Sequence, residues 1–179
     1  MKKALDTVST VVLILVILFA FLLVGVRIFG VAPYTVLSGS MEPNIPVGSL
    51  IYVKKVTAAD LHVNDPVTYT LESGLVVTHR IIEVIPDEDD PTVVRYRTKG
   101  DANNDADGTP VHIKNVIGKP VFTIPLLGYV AYFVQNPPGN YITLITLAAL
   151  LLLTFLPDLI DRIFRSEEEA EDPPKDGEA

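Results

Sequence analysis

The feature that most constrains this chain is a run of nineteen residues without a charge, from Val8 to Val26. Asp6 precedes the run and Arg27 follows it. As an α-helix the run would be about 28 Å long, which is close to the hydrocarbon thickness of a bilayer. We therefore predict an N-terminal transmembrane helix. A cleaved secretory signal is the alternative, but the apolar part of such a signal usually has only about 7 to 15 residues.

A second uncharged, leucine-rich run, Tyr141–Leu156, predicts a C-terminal transmembrane helix. Arg162 and Arg165 follow this run, whereas Lys2 and Lys3 precede the first one. Because basic residues favour the cytoplasmic side, both termini are predicted to be cytoplasmic. The chain is then expected to be a multi-pass protein of the cell membrane with an extracytoplasmic middle part.

These two runs divide the chain into four predicted parts. Most of the net charge of −8 lies in the last part, because Ser166–Ala179 contains seven acidic residues and one lysine. Such a stretch is typical of a solvated, disordered tail. The parts are a cytoplasmic stub with its transmembrane anchor over 1–30, an extracytoplasmic β domain over 31–140, the second transmembrane helix over 141–160, and the acidic cytoplasmic tail over 161–179.

The composition excludes several kinds of chemistry. The 179 residues include no cysteine, so a thiol nucleophile, a disulfide framework and a cysteine-ligated zinc site are ruled out. The three histidines have no metal-binding spacing, and no basic stripe with interleaved aromatic residues indicates nucleic-acid binding. We therefore expect oxygen and nitrogen side chains to carry the chemistry, without a metal or cofactor.

The middle of the chain has the pattern of β structure. No helix-period segment of comparable length occurs there, so we predict a mainly β fold, an antiparallel and partly closed domain. Glu72–Gly74 is the predicted hairpin turn, and Gly118 and Pro120 are expected to separate the last two strands. The predicted strands, rich in β-branched and aromatic residues, are Leu50–Val53, Val67–Leu71, Leu75–Val84, Val93–Arg97, Val111–Ile113 and Val121–Ile124.

Two serines flank a glycine in the segment Val36–Pro43, just after the first apolar run. The residues that follow favour a turn, so a serine here could be held on a bent backbone with its oxygen exposed. Such a serine is a candidate nucleophile. An ordinary surface turn is the alternative interpretation.

His79 lies within an apolar strand, where alternation puts it on one face together with Val77 and Ile81. A histidine in this setting is either a hydrogen-bonded structural residue or a general base. His62 and His112 are predicted to be structural or solvent-exposed.

The polar loop Thr98–Gly108 contains three aspartates in an alternating pattern that begins like a calcium-binding loop. A calcium loop requires glycine at its sixth position and glutamate at its twelfth, but Ala106 and His112 stand there. The other interpretation is that one aspartate orients a histidine and completes a Ser, His, Asp system.

Taken together, these motifs resemble in order the boxes of type I signal peptidases, in particular the archaeal and endoplasmic-reticulum-type branch. The resemblance extends over nearly the whole chain, and the four boxes are specific as a set. The matching segments are Ser38–Pro43, Thr78–Ile81, Lys99–Asn104 with Asp107, and Ile124–Tyr129.

The resemblance implies a membrane-bound serine endopeptidase that removes N-terminal signal peptides from secretory preproteins. Ser40 matches the nucleophile, and His79 matches the general base, where bacterial members have a lysine. Imidazole, with an ordinary pKa of about 6.5, can accept a proton at neutral pH. Asp107 matches the acid that orients the histidine, Asp101 matches a second important acid, and Ser38 with the Ser40 N–H matches the oxyanion hole. The lipid membrane and the protein-translocation machinery are the other suggested partners.

The chain departs from the family pattern at two positions. Thr78 replaces the serine that commonly precedes the histidine, and Ala106-Asp107 replaces the acid pair of many eukaryotic members. The second departure favours Asp107 as the orienting acid, but Asp101 and Asp105 are close enough to leave the assignment open.

Substrate contacts are less defined by the sequence. The extended segment Tyr34–Leu37 and the strand with His79 could pair with an extended substrate, and Val36, Leu37 and Met41 are candidates for contact. A non-catalytic, membrane-anchored β module that binds partners is the alternative of a different class. A self-cleaving regulatory protease is disfavoured, since it would use lysine as its base.

Overall fold

The computed structural model describes residues 2–87, 90, 93–152 and 155. The predicted acidic tail over 161–179 lies outside these residues. The described part of the chain divides into two compact units. One unit is Leu18–Gln135, and the other takes its residues from Met1–Ile17 and from the segment that begins at Asn136. The predicted boundaries at residues 30, 140 and 160 stay predictions.

The first apolar run is helical, but not as one continuous α-helix. Helix α1 covers Lys2–Leu23, and a 3₁₀ helix over Gly25–Phe29 follows it. Near the other end of the described chain, residues 139–152 are also helical. Within the described ranges, no helix has both the length and the apolar character that crossing a membrane requires. The two predicted transmembrane helices therefore find no support in the structure.

The unit Leu18–Gln135 contains a seven-stranded sheet in which every pairing is antiparallel, which confirms the mainly β prediction. The strand order across the sheet is β1-β2-β7-β3-β4-β5-β6. The strands are β1 Val31–Thr35, β2 Leu50–Lys54, β3 Pro66–Thr70, β4 Val76–Pro86, β5 Val94–Lys99, β6 Val111–His112 and β7 Val116–Ile124.

Strand β7 joins the two halves of this sheet because it pairs with different strands along its length. Its residues from Lys119 onward pair with β2, whereas Val116 and Gly118 pair with β3. The prediction that Gly118 and Pro120 lie between strands was wrong, since both lie within β7. Gly118 passes so close to β2 that an added Cβ would lie 2.1 Å from the Lys54 carbonyl oxygen. Only glycine fits at this crossing without a shift of the backbone.

Two further elements differ from the sequence prediction. Strand β1 begins three residues before the expected extended segment Tyr34–Leu37 and ends at Thr35, so Val36 and Leu37 lie beyond it. The strand tolerates Pro33 because it lies at the edge of the sheet. The helix α2, Leu127–Gln135, was missed in a region predicted to be β. It packs through Gly128, which has no side chain, and Ala131, which has only a methyl group, and both allow close approach to the sheet.

One hydrophobic core lies against the part of the sheet formed by β3, β4, β5 and β6. It contains fully or almost fully buried aliphatic and aromatic side chains from each of these strands, and burial of each stabilises the fold by about 1.5–3 kcal/mol. Its members are Leu61, Val67, Tyr69, Ile81, Tyr96 and Val111. A second cluster, Met41, Ile45, Ile51 and Val53, lies beneath the serine-containing segment.

The crossing of β7 over β2 gives a direct test of the fold. Gly118→Ala should lower the free energy of unfolding by about 1–3 kcal/mol, because the added methyl group overlaps a backbone carbonyl that cannot easily move. Thermal or chemical unfolding of the purified full chain measures this loss. Gly108→Ala is the matched control, since no atom lies within 4 Å of its added Cβ. Equal stability of the two variants would contradict the described packing of β7 on β2.

Candidate active site

The serine-containing segment is a tight, anchored turn between β1 and β2. The amide of Glu42 donates to the Gly39 carbonyl at 3.0 Å, and the amide of Ile45 donates to the Met41 carbonyl at 2.9 Å. The Met41 and Ile45 side chains are buried in the core cluster beneath the turn. Because Ser40 immediately precedes the buried Met41, the packing of Met41 fixes the position of Ser40 at the surface of this cluster.

His79 comes to the same place from strand β4. It pairs across the ladder with Val67 of β3, and its side chain lies on the buried face together with Ile81, as alternation predicted. The histidine is only 9% exposed. Its Nε2 lies 3.1 Å from the Ser40 Oγ, within hydrogen-bonding distance.

Asp107 meets the other side of the imidazole. Its Oδ2 lies 2.6 Å from the His79 Nδ1, and its backbone amide donates to the Thr98 carbonyl at 2.8 Å. The loop after β5 therefore folds back onto Thr98 of β5, and this fold brings Asp107 next to the imidazole of His79. Serine, histidine and aspartate from three separate segments are thus hydrogen-bonded in series.

Two buried hydroxyl groups complete the surroundings of this carboxylate. Thr98 Oγ1 donates to the Asp107 Oδ2 at 2.6 Å, and the Tyr69 hydroxyl donates to the same oxygen at 3.0 Å. Sequence reasoning missed both residues. Strand alternation could have identified them, because it places both side chains on the buried face of their strands, where a hydroxyl group needs a hydrogen-bond partner.

Asp101, the second predicted acid, has different partners. It accepts hydrogen bonds from the Arg80 Nε at 2.8 Å and Nη2 at 2.7 Å, and from the Asn44 Nδ2 at 2.8 Å. The Arg80 hydrogen bonds hold the pKa of Asp101 below its ordinary value, and Asp101 in turn raises the pKa of Arg80. Asp101 therefore ties the serine-containing segment to β4, while Asp107 is the acid that contacts the imidazole.

A backbone contact brings the aspartate loop against the serine turn. The amide of Ala102 donates to the Ser40 carbonyl at 2.9 Å. At Gly100 an added Cβ would lie 2.6 Å from the same carbonyl oxygen, so the absence of a side chain permits this approach. The loop that carries both acids is therefore docked directly on the serine.

The remaining predicted residues border one cleft of about 410 Å³. Ser38 lies at its edge with its Oγ 3.4 Å from the Ser40 Oγ, and Leu37 is 67% exposed. Met41 is only 2% exposed, so it belongs mainly to the packed floor of the cleft. The walls come from the end of β1, from β2, from the start of β4 and from the loop after β5, and they include Tyr34, Val36, Ile51, Leu75, Val77 and Asn103.

The other histidines and the calcium-like pattern are not part of this arrangement. His62 is exposed, and the His112 Nδ1 accepts a hydrogen bond from the Lys114 amide. Asp101 and Asp107 of the calcium-like pattern are directed to different partners, Arg80 and His79. Among the residues that the structure describes, no group of three or more acidic or histidine side chains is arranged to hold a metal ion.

The order of hydrogen bonds from hydroxyl to imidazole to carboxylate is that of the Ser-His-Asp triad found in many serine hydrolases. A family model described as signal peptidase, peptidase S26, matches residues 7–125. This match covers more than half of the chain and includes each residue of the hydrogen-bonded series. The chain belongs to this family of signal peptidases.

Comparisons with individual proteins agree with the family. Signal peptidase I W of Bacillus subtilis (strain 168) is 34% identical over 124 residues, which cover 65% of this chain and 64% of that protein. The signal peptidase complex catalytic subunit sec11 of Pyrenophora tritici-repentis is 34% identical over 113 residues, covering 58% of this chain and 63% of that protein. The signal peptidase complex catalytic subunit SEC11C of Homo sapiens is 29% identical over 128 residues, covering 66% and 65%. The matched part thus spans less than two thirds of the length of these relatives.

The Asp101 ion pair predicts a pH-dependent stability difference. Its pKa is lowered on folding, so its contribution is complete above about pH 5, where the unfolded carboxyl is ionised, and declines as pH falls below about 4. Asp101→Asn should therefore lower the free energy of unfolding by about 1–2 kcal/mol at pH 7, and the difference should narrow at pH 3. Asp105→Asn, at an exposed aspartate of the same loop, is the control and should be nearly neutral. A pH-independent gap would argue against the ion pair.

Proposed function

We propose that this chain is a serine endopeptidase that removes N-terminal signal peptides from secretory preproteins. The observation that carries the proposal is the hydrogen-bonded series Ser40, His79, Asp107 at the edge of an open cleft. Membership of the signal peptidase family supports the substrate class. A binding module would have no need for these three side chains in this order.

In the proposed mechanism, the Ser40 Oγ attacks the carbonyl carbon of the scissile bond while the His79 Nε2 accepts its proton. Asp107 keeps the Nδ1 proton of the imidazole directed toward itself, so that the Nε2 lone pair faces the serine. His79 then donates the proton to the leaving amine. A water molecule, deprotonated by the same histidine, hydrolyses the acyl-enzyme and restores the Ser40 hydroxyl.

The negative oxygen that forms during attack needs donors. We assign this role to the Ser40 amide and the Ser38 hydroxyl, which lies beside the nucleophile at the edge of the cleft. Asp101 is assigned a positioning role, since its contacts to Arg80 and Asn44 hold the segments around the nucleophile.

The cleft is suited to an extended peptide. Strand β5 pairs with β4 only from Arg80 onward, so no strand in the part of the chain that the structure describes pairs with the β5 side of Val76–Thr78 beside the cleft. A substrate strand could pair with this edge or with the segment after β1, where Val36 and Leu37 lie. Apolar walls that include Ile51 and Val77 would accept small side chains next to the cleavage site.

The nucleophile is tested by cleavage of a model preprotein with the purified, detergent-solubilised chain. The wild type should cut after a small residue, whereas Ser40→Ala should lose measurable cleavage because no oxygen remains to attack. Asp107→Asn should keep its fold but lower kcat by about 10²–10⁴, because the amide no longer fixes the imidazole.

Circular dichroism confirms that each variant is folded, and Asp105→Asn is the matched acid control. Equal cleavage by wild type and Ser40→Ala would overturn the nucleophile assignment. If the folded wild type is inactive, the assay is repeated with candidate partner subunits, since two relatives are named as catalytic subunits of a complex. Persistent inactivity would favour the non-catalytic binding module.

We also propose that the peptidase works at a membrane. The uncharged run Val8–Val26 and the exposure of apolar side chains on α1 support this location; Ile14, Leu15 and Ile17 are 58–60% exposed. Covering such side chains with lipid is favourable by about 25 cal/mol per Å².

Membrane association is tested by expressing the full chain, isolating membranes and extracting them with alkaline carbonate. The chain should stay in the membrane pellet and be released by detergent. Leu15→Arg should increase the released fraction, because a charged guanidinium would replace an exposed apolar side chain that lipid would cover. Arg27→Lys preserves the charge at the end of the run and should behave like the wild type. Release of the wild type by carbonate would contradict the membrane proposal.

A further inference from the structure

The carboxylate of Asp107 is held by more groups than the histidine alone. Its Oδ2 accepts from the His79 Nδ1 and from the hydroxyls of Thr98 and Tyr69, at 2.6, 2.6 and 3.0 Å. Thr98 is fully buried and Tyr69 is 2% exposed. The acid is therefore docked on a floor of two buried hydroxyl groups from strands β5 and β3.

The Tyr69 hydroxyl is at the centre of this cluster. It lies 3.4 Å from the His79 Nδ1 and 3.2 Å from the Thr98 Oγ1, in addition to its contact with Asp107. Its ring meets the imidazole edge to face, with centroids 6.4 Å apart. Burial, together with the neighbouring carboxylate of Asp107, raises the pKa of Tyr69 to about 12. The phenol is thus protonated throughout the neutral range and can donate to the carboxylate.

We propose that Tyr69 is a positioning residue of the peptidase, which acts by holding the Asp107 carboxylate and the His79 ring in their reactive orientation. The inference rests on the proposed function and adds a residue from β3 to the machinery. Tyr69 contacts neither the nucleophile nor the cleft in the part of the chain that the structure describes. Its effect must therefore pass through Asp107 and His79.

The physical reason is that a carboxylate with a single partner can rotate, whereas one with three donors on the same oxygen has one favoured orientation. The Thr98 and Tyr69 hydroxyls donate two protons to the Asp107 carboxylate, and the imidazole Nδ1–H is the third donor. This contact fixes the tautomer of His79 in which the Nε2 lone pair faces Ser40. Hydrogen bonds to an ionised group are stronger than those between neutral groups. Loss of the Tyr69 hydrogen bond should therefore change the orientation of Asp107 and, through it, of His79.

The aromatic ring alone does not explain this tyrosine. The ring packs in the core with Val67, Ile81 and Tyr96, and a phenylalanine would fill the same space. A buried hydroxyl costs free energy unless it is hydrogen-bonded, so the contact with Asp107 is what offsets its burial. The hydroxyl and the ring therefore have separable roles.

The test is Tyr69→Phe, with Tyr96→Phe as the matched control. Tyr96 belongs to the same core cluster and is fully buried, but its hydroxyl lies 3.4 Å from the Ala58 carbonyl and away from the acid. Both substitutions remove one oxygen atom and keep the ring. With a model preprotein, Tyr69→Phe should lower kcat by about tenfold with little change in KM, whereas Tyr96→Phe should stay within about twofold of the wild type.

A structural role alone would not move two further readouts. In Tyr69→Phe, Asp107 keeps its hydrogen bonds with Thr98 but loses the one from the Tyr69 hydroxyl. With one donor fewer, the carboxylate charge of Asp107 stabilises the protonated imidazole of His79 more strongly. The acid-side limb of the kcat/KM profile should then move to higher pH, in a setting where Asp107, Asp101 and Arg80 are the neighbouring charges. The proton NMR signal of the His79 Nδ1–H, identified by its loss in His79→Gln, should also shift.

These readouts separate failure of the inference from failure of the proposed function. A changed kcat, pH profile and Nδ1–H signal in Tyr69→Phe, but not in Tyr96→Phe, supports the positioning role. If the wild type is active and the two phenylalanine variants behave alike, the positioning role is overturned. If the wild type cleaves no preprotein, the proposed function fails, and the Nδ1–H signal still decides whether the Tyr69 hydroxyl orients the acid and the histidine.

Discussion

The contact between the Ala102 amide and the Ser40 carbonyl is the constraint on which the site depends. It joins the loop after β5 to the turn after β1, two segments that are distant in sequence. Gly100 makes the contact possible because no side chain separates the two backbones. Once the loop is docked, Asp101 reaches Arg80 and Asn44, and Asp107 reaches His79. This hydrogen bond and the missing Cβ at Gly100 hold the start of the loop on the serine, and the hydrogen bond from the Asp107 amide to the Thr98 carbonyl returns the end of the loop to His79.

The two acids illustrate how one loop can supply two kinds of stabilisation. Asp101 takes a bidentate guanidinium hydrogen bond, which is among the stronger polar contacts in proteins and holds geometry as well as charge. Asp107 instead accepts from an imidazole and from two buried hydroxyl groups, all at one carboxylate oxygen. The first arrangement suits a tie between segments, and the second suits an acid that orients a base.

Much of the sheet could be predicted from local sequence. Strands β2 to β7 overlap the predicted segments, and the turn at Glu72–Gly74 joins β3 to β4 as expected. The errors occurred where tertiary contacts override local pattern. Gly118 and Pro120 were expected to interrupt the strand, but they lie within β7 at the point where it changes its pairing partner from β3 to β2. Helix α2 was missed because a helix of nine residues gains most of its stability from packing against the sheet and not from its local sequence.

The sequence by itself determined the kinds of groups available: a serine in a turn, a histidine on the buried face of a strand, and a loop with three aspartates. It also indicated the family, because the order of the motifs along the chain is a property of the sequence. Only the tertiary structure decided which aspartate contacts the histidine, since that choice depends on where the loop docks after β5. The same is true of Tyr69 and Thr98. Their hydroxyls lie beside the Asp107 carboxylate because β3, β5 and the loop after β5 come together there. A local sequence pattern contains no information about such a tertiary contact.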